Sequence, residues 1–380
     1  MLAKLRLRNF RSFKEDTVID FTATKYSKLK DTNVSGGVLK GCLFAGDNDS
    51  GKSNAINAIS ILLYLLFDDT DFNMPVNFCF FSADRLMEME YTFRFGKEEV
   101  VYSLAFESSG KVMTEKVTLG ASTLLDRTDE GARTTLTAEN FYGSSRLQPK
   151  SLLLKKLYEE THFAQFPALA KMFDYLISSV YFNASRNMVA SARSYSDKDA
   201  VTLTEYIELN GVEGINEFFE KLGFLQRIVY RKPQGGPGRI YVKHRGVEVL
   251  VPLSMESLGN KVLLNMLPGY LEVASGGGML IVDDYGANFH NKQSELLLSW
   301  FMKQSANSQL FVATHSTCLM KTSLLRPDQI YTLEFTDGHG TVTHRVSDFQ
   351  PRELQNLEKM YLEGQFGGLP AYAQMQKKTD

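Results

Sequence analysis

Residues 46–53, GDNDSGKS, have the spacing of a phosphate-binding loop, G-x-x-x-x-G-K-S. The glycines of such a loop let backbone N–H groups turn toward phosphate oxygens, and the helix that follows points its positive end at them. Lys52 would reach the β- and γ-phosphates, and the Ser53 hydroxyl would ligate Mg²⁺. The residues predicted to hold the nucleotide here are Gly46, Asn48, Ser50, Gly51, Lys52, Ser53 and Asn54. A chance glycine-lysine turn is the alternative, but an apolar strand before the loop and a helical pattern after it favour binding of ATP and Mg²⁺.

Two apolar strands further along the chain end in polar side chains that suit a nucleotide site. The segment MLIVDDYGANFH, residues 279–290, runs four apolar residues into Asp283, where a carboxylate can hold Mg²⁺ beside Ser53. The strand QLFVATHS ends at His315, which would sense the γ-phosphate or orient the attacking water. An exposed strand-end turn is the alternative for Asp283, and a hydrogen-bonded loop histidine is the alternative for His315. The phosphate loop upstream favours the nucleotide roles.

A Ser/Gly turn opens another helical segment at LSMESLGNK, residues 253–261. Its simplest role is an N-cap by Ser257 or Asn260. The same backbone amides and helix N-terminus can bind a phosphate from outside. Both roles stay open at this point.

The segment QRIVYRKPQGGPGRIYVKHRG concentrates basic side chains around a Gly/Pro turn. They are Arg227, Arg231, Lys232, Arg239, Lys243 and Arg245. A solvated hairpin is the simplest interpretation, with a DNA-backbone contact or a partner-docking loop as alternatives. No Ser/His/Asp triad, Cys/His pair or carboxylate cluster with nuclease spacing stands out.

These residues need an α/β scaffold to bring them together. The strand-loop-helix around residue 46 and the strand-helix-strand series from 278 to 315 favour parallel pairing. Runs between 79 and 135 alternate like an antiparallel meander, and residues 151–225 have helical periodicity. We therefore predict an α/β fold with a mixed sheet, an antiparallel β lobe and a helical insertion. The expected units are an N-terminal lobe (1–150), the insertion (151–225) and a C-terminal lobe (226–380), with the first ~75 and last ~150 residues folding together.

The composition fits a globular chain of one large domain or two joined ones. Of 380 residues, 43% are hydrophobic and 23% are charged, which excludes a largely disordered protein. The net charge of −2 gives no overall pull toward nucleic acid or an acidic membrane. The 3 cysteines form no CxxC pair, and the most apolar run, ISILLYLLF, is too short to span a bilayer. We expect a cytoplasmic protein that makes no membrane contact.

The order of these motifs resembles the ABC-type ATPase heads of the RecF, SMC and OLD clade, over nearly the whole chain. GDNDSGKSN is similar to the clade's Walker A loop, ESLGN to its shortened signature motif, MLIVDD to its Walker B strand and ATHS to its switch histidine. The opening LRLRNFRSF resembles the clade's first strand motif, whose Asn9 and Arg11 would lie close to the nucleotide. The resemblance implies an ABC-type P-loop ATPase head.

The clade shares each nucleotide between two heads. The resemblance implies that Ser257 and Gly259 contact the γ-phosphate of a second copy, so that ATP joins a homodimer or higher homo-oligomer. The C-terminal LLRPDQIYTLEF and NLEKMYLEGQFGGLP are similar to stand-alone bacterial AAA-type ATPases of phage-defence and abortive-infection operons, including relatives of the ATPase in the PARIS system. That similarity implies a separate effector protein, a toxin or a nuclease.

The chain departs from the clade's pattern at one position. The clade usually has Glu after the Walker B aspartate, as general base or water-orienting group, and here that residue is Asp284. Its carboxylate would sit about 1.5 Å farther from the water, and a misplacement near 1 Å can slow a reaction on the order of a hundredfold. We therefore predict slow hydrolysis, with ordinary turnover through local adjustment as the alternative.

The leading hypothesis is an ATP-binding, slowly hydrolysing switch that oligomerises and controls a separate toxin or nuclease in anti-phage defence. Only about 65 residues follow His315, so we expect no nuclease domain of the chain's own. A RecF-like DNA-repair protein, with DNA bound through residues 227–245, is the second hypothesis. An ATP-bound scaffold that never hydrolyses its nucleotide is the third.

Overall fold

The computed structural model describes residues 1–68, 73–137, the backbone of 141–143, 147–191 and 202–369. Its α-helices are α1 (Lys30–Asn33), α2 (Lys52–Phe67), α3 (Leu153–Thr161), α4 (Pro167–Ile177), α5 (Leu203–Asn210), α6 (Glu213–Lys221), α7 (Leu258–Gly276), α8 (Asn291–Gln304) and α9 (Leu357–Leu362). Its strands are β1 (Leu2–Arg8), β2 (Thr17–Asp20), β3 (Val34–Ser35), β4 (Val38–Leu39), β5 (Gly41–Gly46), β6 (Leu86–Phe95), β7 (Glu98–Glu107), β8 (Val112–Leu119), β9 (Ser122–Thr128), β10 (Gly131–Thr134), β11 (Phe141–Gly143), β12 (Val180–Asn183), β13 (Met188–Ser191), β14 (Arg227–Arg231), β15 (Arg239–Lys243), β16 (Val251–Pro252), β17 (Gly278–Asp283), β18 (Ser308–Thr314), β19 (Ile330–Thr336) and β20 (Gly340–Arg345). Short 3-10 turns cover Met74–Asn77, Leu253–Met255, Thr317–Leu319, Pro327–Gln329 and Val346–Phe349.

A seven-stranded central sheet carries the predicted motifs, in the order β13-β12-β17-β18-β5-β19-β20. The inner strands run parallel, and the edge strands β13 and β20 are antiparallel. Every residue of β5, β17 and β18 is buried, which is typical of parallel strands covered on both faces. Since β5 lies between β18 and β19, the start and the end of the chain fold together, as predicted.

An eight-stranded antiparallel sheet forms the β lobe, in the order β11-β10-β9-β8-β7-β6-β1-β2. The meander predicted between residues 79 and 135 is confirmed as β6 to β10. Side chains of β6 alternate between buried and partly exposed, and the buried Tyr91 donates a hydrogen bond to the Ala58 carbonyl of α2 at 2.7 Å. Phe93 shares one apolar core with Ile281 and Phe311 of the central sheet. The β lobe therefore packs on the helix that follows the phosphate loop.

Buried polar side chains tie the lobe to the central sheet. The Gln309 amide, on β18, accepts from the Leu2 backbone N–H at 2.7 Å and donates to the Leu2 and Leu39 carbonyls at 3.0 and 2.8 Å. Arg326 and Asp328 form a fully buried ion pair at 2.8 Å, and Asp328 also accepts from the backbone N–H of Thr24 at 2.7 Å. Buried charges of this kind require partners, and here one partner comes from each end of the chain.

The region predicted as a helical insertion, 151–225, is helical only in part. It contains α3 to α6, but β12 and β13 lie between α4 and α5 and belong to the central sheet. The prediction missed these strands because a short buried run such as VYFN cannot be distinguished from a buried helix by periodicity. The three-part division of the chain remains a prediction. None of the helices in the described part of the chain combines the length and the apolarity that crossing a bilayer would take.

Candidate nucleotide site

The carboxyl ends of the parallel strands meet at one edge of the central sheet. β5 ends at Gly46, β17 at Asp283 and β18 at Thr314, one residue before His315. β18 lies between β5 and β17, so that the phosphate loop, His315 and Asp283 follow the ends of three neighbouring strands. The topology thus brings the phosphate loop next to two strand ends that lie more than two hundred residues further along the chain.

Two glycines of the phosphate loop are required by close approach. Gly51 has φ +100°, and a Cβ there would lie 2.1 Å from the Thr341 hydroxyl. A Cβ on Gly46 would lie 2.3 Å from the carbonyl oxygen of Leu333. The loop is therefore fixed between α2 and the β19–β20 hairpin, and a side chain at either glycine would displace it.

Lys52 folds back over the loop. Its ammonium donates to the carbonyls of Gly46 at 3.1 Å and Asp47 at 2.5 Å, and only 6% of the residue is exposed. Burial lowers the Lys52 pKa, and the nearby charges of Asp47, Asp284 and Asp283 partly oppose that shift. The cation is thus held inside the loop beside three carboxylates, where an anionic phosphate would relieve its desolvation.

Ser53 and Asp283 are in contact. The Ser53 hydroxyl donates to Asp283 Oδ1 at 3.0 Å, and the same oxygen accepts from the Asp284 backbone N–H at 3.1 Å. Burial and the charge of Asp284 raise the pKa of Asp283. A hydroxyl and a carboxylate are ligands that Mg²⁺ accepts. Across the described residues no group of three or more His, Cys, Asp or Glu forms a metal cluster, so phosphate and water oxygens would have to complete the coordination of Mg²⁺.

Asp284 adopts the left-handed backbone conformation, with φ 56°. The strand ahead of it ends at Asp283, and the Tyr285 backbone N–H behind it bonds to the Ala313 carbonyl of β18 at 2.8 Å. Asp and Asn enter the left-handed region more readily than longer side chains do. The local backbone therefore favours aspartate at the position where the resemblance leads one to expect glutamate.

His315 lies within electrostatic reach of the loop, and its residue surface is exposed to solvent. Burial and the positive charge of Lys52 lower its pKa below the ordinary value of 6.5, while Asp284 and Asp47 act in the opposite direction. The imidazole is therefore neutral at pH 7, and one ring nitrogen can accept a hydrogen bond.

Asn9 and Arg11 occupy different places in the N-terminal turn. Asn9 is fully buried, and its amide donates to the carbonyls of Asp84 at 2.8 Å and Leu86 at 2.9 Å, at the start of β6. Arg11 Nε donates to Asn77 Oδ1 at 2.9 Å. Burial lowers the Arg11 pKa, with opposing contributions from Tyr181 and Asp283. Arg11 thus reaches the electrostatic field of the site, whereas the bonds of Asn9 hold the β lobe together.

Ser257 is the N-cap residue of α7, and Gly259 lies in the first turn of that helix. The Ser257 hydroxyl caps the helix by accepting from the Asn260 backbone N–H at 3.3 Å, so the N-cap role is observed. A Cβ on Gly259 would lie 2.5 Å from the carbonyl oxygen of Asn288, in the turn that follows β17. No hydrogen bond between described residues joins Ser257 or Gly259 to the loop, and Ser257 is exposed.

Sequence reasoning missed several polar residues at this edge. Asn183 ends β12 in register with Asp283 and is buried, which places an amide beside the carboxylate. Its signal was present, since VYFN is an apolar run ending in a polar side chain, as LIVD is. The Thr341 hydroxyl donates to the Ser50 carbonyl at 3.0 Å and lies within hydrogen-bond distance of the Ser12 hydroxyl, at 2.7 Å. That contact spans most of the chain and left no local signal.

The donor set fits a nucleoside triphosphate with Mg²⁺. The loop offers a buried ammonium, the N-terminus of a 16-residue helix and a serine hydroxyl that is hydrogen-bonded to the Asp283 carboxylate. The buried Ser50 hydroxyl has no hydrogen-bond partner among the described residues, so one donor of the loop is still unused. These features, on a mixed sheet with an antiparallel lobe, define an ABC-type P-loop ATPase head.

Comparison with known proteins agrees with this class. Residues 43–321 match the family described as "AAA domain, putative AbiEii toxin, Type IV TA system", and the chain belongs to that family. ATPases of this kind use ATP with Mg²⁺. No curated protein sequence matches the chain. The resemblance to ABC-type ATPases is therefore confirmed, while the closer likeness to the PARIS ATPase remains a prediction.

Solved structures of SMC heads share the fold. One is the SmcHead bound to the C-winged helix domain of ScpA, with TM-score 0.56, 16% identity and coverage of 91% of this chain and 99% of that one. Another is the Smc head with an extended coiled coil, bound to the C-terminal domain of ScpA, from Pyrococcus furiosus, with TM-score 0.50, 14% identity and coverage of 91% and 97%. The SMC head domain from Thermotoga maritima has TM-score 0.48, 17% identity and coverage of 90% and 97%. At such identities the likeness concerns the fold alone.

Proposed function

We propose that this protein is an ATP-dependent switch that pairs with a second copy around MgATP, hydrolyses the nucleotide slowly and controls a separate effector. The observation that carries the proposal is that the chain builds only half of a site. Lys52, Ser53 and Asp283 converge at one sheet edge, while no hydrogen bond between described residues joins Ser257 or Gly259, at the N-terminus of α7, to the loop. A second copy can bring the two halves together.

The residues at the sheet edge divide the work of binding. The loop glycines and the start of α2 receive the phosphates, and Lys52 neutralises their charge. Ser53 and Asp283 would hold Mg²⁺, which would supply charge neutralisation at the β- and γ-phosphates. Asn48, Ser50 and Asn54 complete the loop, with the Asn54 amide already donating to the Ser12 hydroxyl at 2.6 Å. Arg11 adds positive charge at the Asp283 side, and Asn9 holds the turn that carries it.

Asp284 and His315 act on the attacking water. A neutral His315 accepts a hydrogen bond, and the Asp284 carboxylate orients the water or takes its proton. The Asp284 side chain is one methylene shorter than that of glutamate, so its carboxylate would lie farther from the attacking water. Slow hydrolysis and a long-lived ATP state follow.

The effector role is inferred from the family's description and from the partners of similar heads. The family's description includes the AbiEii toxin and type IV toxin–antitoxin systems, which fits a chain that works with a toxin in abortive infection. The SMC heads of similar fold are bound to ScpA, a separate partner protein. We propose that ATP-bound dimers or higher oligomers hold a toxin or nuclease, as the resemblance to PARIS-type ATPases implies. The lobes 1–150 and 226–380 would form the switching head.

Nucleotide-dependent assembly and single-turnover hydrolysis test this proposal. Wild-type protein should form dimers with MgATP, measured by light scattering, and should convert bound ATP at a slow rate that Asp284→Asn lowers further. Dimers with equal rates for wild type and Asp284→Asn would favour the non-hydrolysing scaffold. Strong nuclease activity of the purified chain, abolished by Lys52→Ala, would exclude a separate effector.

DNA binding is the second candidate, because one hairpin sets like charges against each other. Arg231 lies opposite Arg239 in the β14–β15 register, and Arg227 lies opposite Lys243 but also forms a 3.7 Å ion pair with Glu220. Like charges across a strand pair destabilise it unless an anion is bound nearby. A RecF-like role predicts ATP-dependent binding of duplex DNA that weakens steeply with salt and is lost when Arg231, Arg239 and Lys243 are changed to Gln. DNA binding that is unaffected by salt or by these substitutions would exclude the RecF-like role.

A further inference from the structure

An aromatic patch, consisting of Phe80, Phe81 and Phe335, lies exposed where the segment before β6 meets the end of β19. Their exposed fractions are 87%, 46% and 49%. Phe81 and Phe335 pack edge to face, with ring centroids 5.6 Å apart. Grouped exposed aromatic side chains are uncommon on proteins that stay monomeric and mark contact surfaces.

The aromatic patch borders the phosphate loop. A Cβ on Gly340 would lie 2.9 Å from the Phe81 ring and 2.3 Å from the Ser12 carbonyl oxygen. The next residue, Thr341, bonds to the Ser50 carbonyl of the loop at 3.0 Å. The patch and the loop are therefore connected through one short hairpin turn.

The Ser/Gly turn at residues 253–261 (the signature turn) carries a second apolar feature, the pair Met255 and Leu258. They are 77% and 59% exposed and stand on either side of the Glu256–Ser257 dipeptide. Glu256 is buried and accepts a 2.6 Å bond from the His244 ring. The anchored Glu256 fixes the backbone that presents Met255 and Leu258.

We propose that Met255 and Leu258 of one copy pack against the aromatic patch of a second copy when the two copies share ATP. The inference rests on the proposed dimer. Each apolar feature lies beside one half of the composite site, the patch beside the phosphate loop and the pair beside the signature turn. Joining loop to turn across a two-fold axis would bring each copy's patch to the partner's pair, so that the dimer contains two equivalent contacts.

The chemistry of the two features is complementary. A methionine thioether makes favourable contacts with aromatic rings, and its flexible chain adapts to an irregular surface. Buried aromatic side chains are frequent energetic centres of interfaces. The contact would add affinity that does not depend on the phosphates and would set the alignment of the two heads.

A charge-exchange experiment tests the pairing. Phe80→Glu and Met255→Lys are made separately, and dimerisation with a non-hydrolysable ATP analogue and Mg²⁺ is measured by analytical ultracentrifugation. Each variant alone should dimerise about tenfold or more weakly than wild type, because both of its contacts are broken. An equal mixture should recover dimers to within about threefold, since a mixed pair has one native contact and one Glu–Lys contact.

Matched surface variants separate this effect from general damage. Leu354→Glu and Leu209→Lys replace side chains that are 88% and 81% exposed elsewhere and should dimerise like wild type. All four variants should bind the analogue and melt as wild type does. Single variants that dimerise normally would overturn the contact while leaving the ATP dimer standing. Weak dimers that the mixture does not rescue would mean that the patch serves another partner, and a wild type that never dimerises would overturn the proposed function as well.

Discussion

The phosphate loop and the signature turn both lie at the start of a helix. Within one chain, only the phosphate loop is surrounded by the side chains that a phosphate site needs. At the loop, Lys52 and Ser53 already bond to groups at the sheet edge, and Asp283 is buried beneath them. At the turn, Ser257 caps its own helix and is otherwise exposed. The loop is thus built to bind a ligand within one chain, whereas the turn acquires a phosphate only from outside.

The difference suggests how nucleotide binding and assembly are separated. Damage at the loop should remove ATP binding and everything that depends on it. Damage at the turn should leave binding by the single chain intact and remove what needs two chains. The variants below are chosen to break one region without the other.

Lys52→Ala should have the largest effect. It removes the buried ammonium, and charged hydrogen bonds contribute about 1.5–3 kcal/mol each, so MgATP affinity should fall on the order of a hundredfold or more. Calorimetric titration measures the loss. Lys14→Ala is the matched control, because the ammonium of that partly exposed lysine bonds only to the Gly338 carbonyl among the described residues, and the variant's MgATP affinity should be unchanged.

Asp284→Asn should slow hydrolysis and spare binding. An amide cannot take a proton from water, and general-base contributions are about a hundredfold, so the single-turnover rate should drop by roughly that factor while MgATP affinity changes little. Rapid-quench measurement with excess enzyme reports the chemical step. If the rate were unaltered, Asp284 would have no role in the reaction.

Gly259→Ala tests the turn. The added methyl would lie 2.5 Å from the Asn288 carbonyl oxygen and displace the start of α7. Nucleotide-dependent dimerisation should weaken about tenfold, while the affinity of the single chain for MgATP should be unaffected. Gly276→Ala, at the open end of the same helix, has no atom within 4 Å of the new methyl and should assemble normally. An equal loss in both variants would point to a general effect on α7.

The pH profile should show the smallest effect. The folded-state pKa of His315 is lowered below 6.5, so its neutral form is favoured above the unfolded pKa and that preference is lost as pH falls through the folded value. Single-turnover hydrolysis should therefore be flat around pH 7 and decline a few-fold at pH values below 6.5. His315→Asn should be slower and should lose this part of the profile. A decline that persists unchanged in His315→Asn would assign it to another group.

Much of the site could be predicted because its signals are local. The spacing of GDNDSGKS and the apolar run before Asp283 each lie within one stretch of chain, and the parallel strands that join them follow from the alternation of strands and helices. The structure confirms the parallel pairing and brings Ser53 and Asp283 within 3.0 Å.

Other features depend on contacts that a sequence does not display. The bond from Thr341 to the loop joins residues 291 positions apart, and the left-handed backbone at Asp284 is set by β18 behind it. Neither has a periodic pattern. β12 was missed because its four residues are too few to show a period, although they end in Asn183 beside Asp283.

Mixing two inactive variants tests the composite site most directly. Lys52→Ala removes the loop half, and Ser257→Arg blocks the turn half, so neither protein alone should hydrolyse ATP. An equal mixture should regain activity, up to about a quarter of wild type, because half of random pairs are mixed and each mixed pair has one intact site. A mixture as inactive as its components, or Ser257→Arg that is fully active alone, would contradict a site shared between two copies.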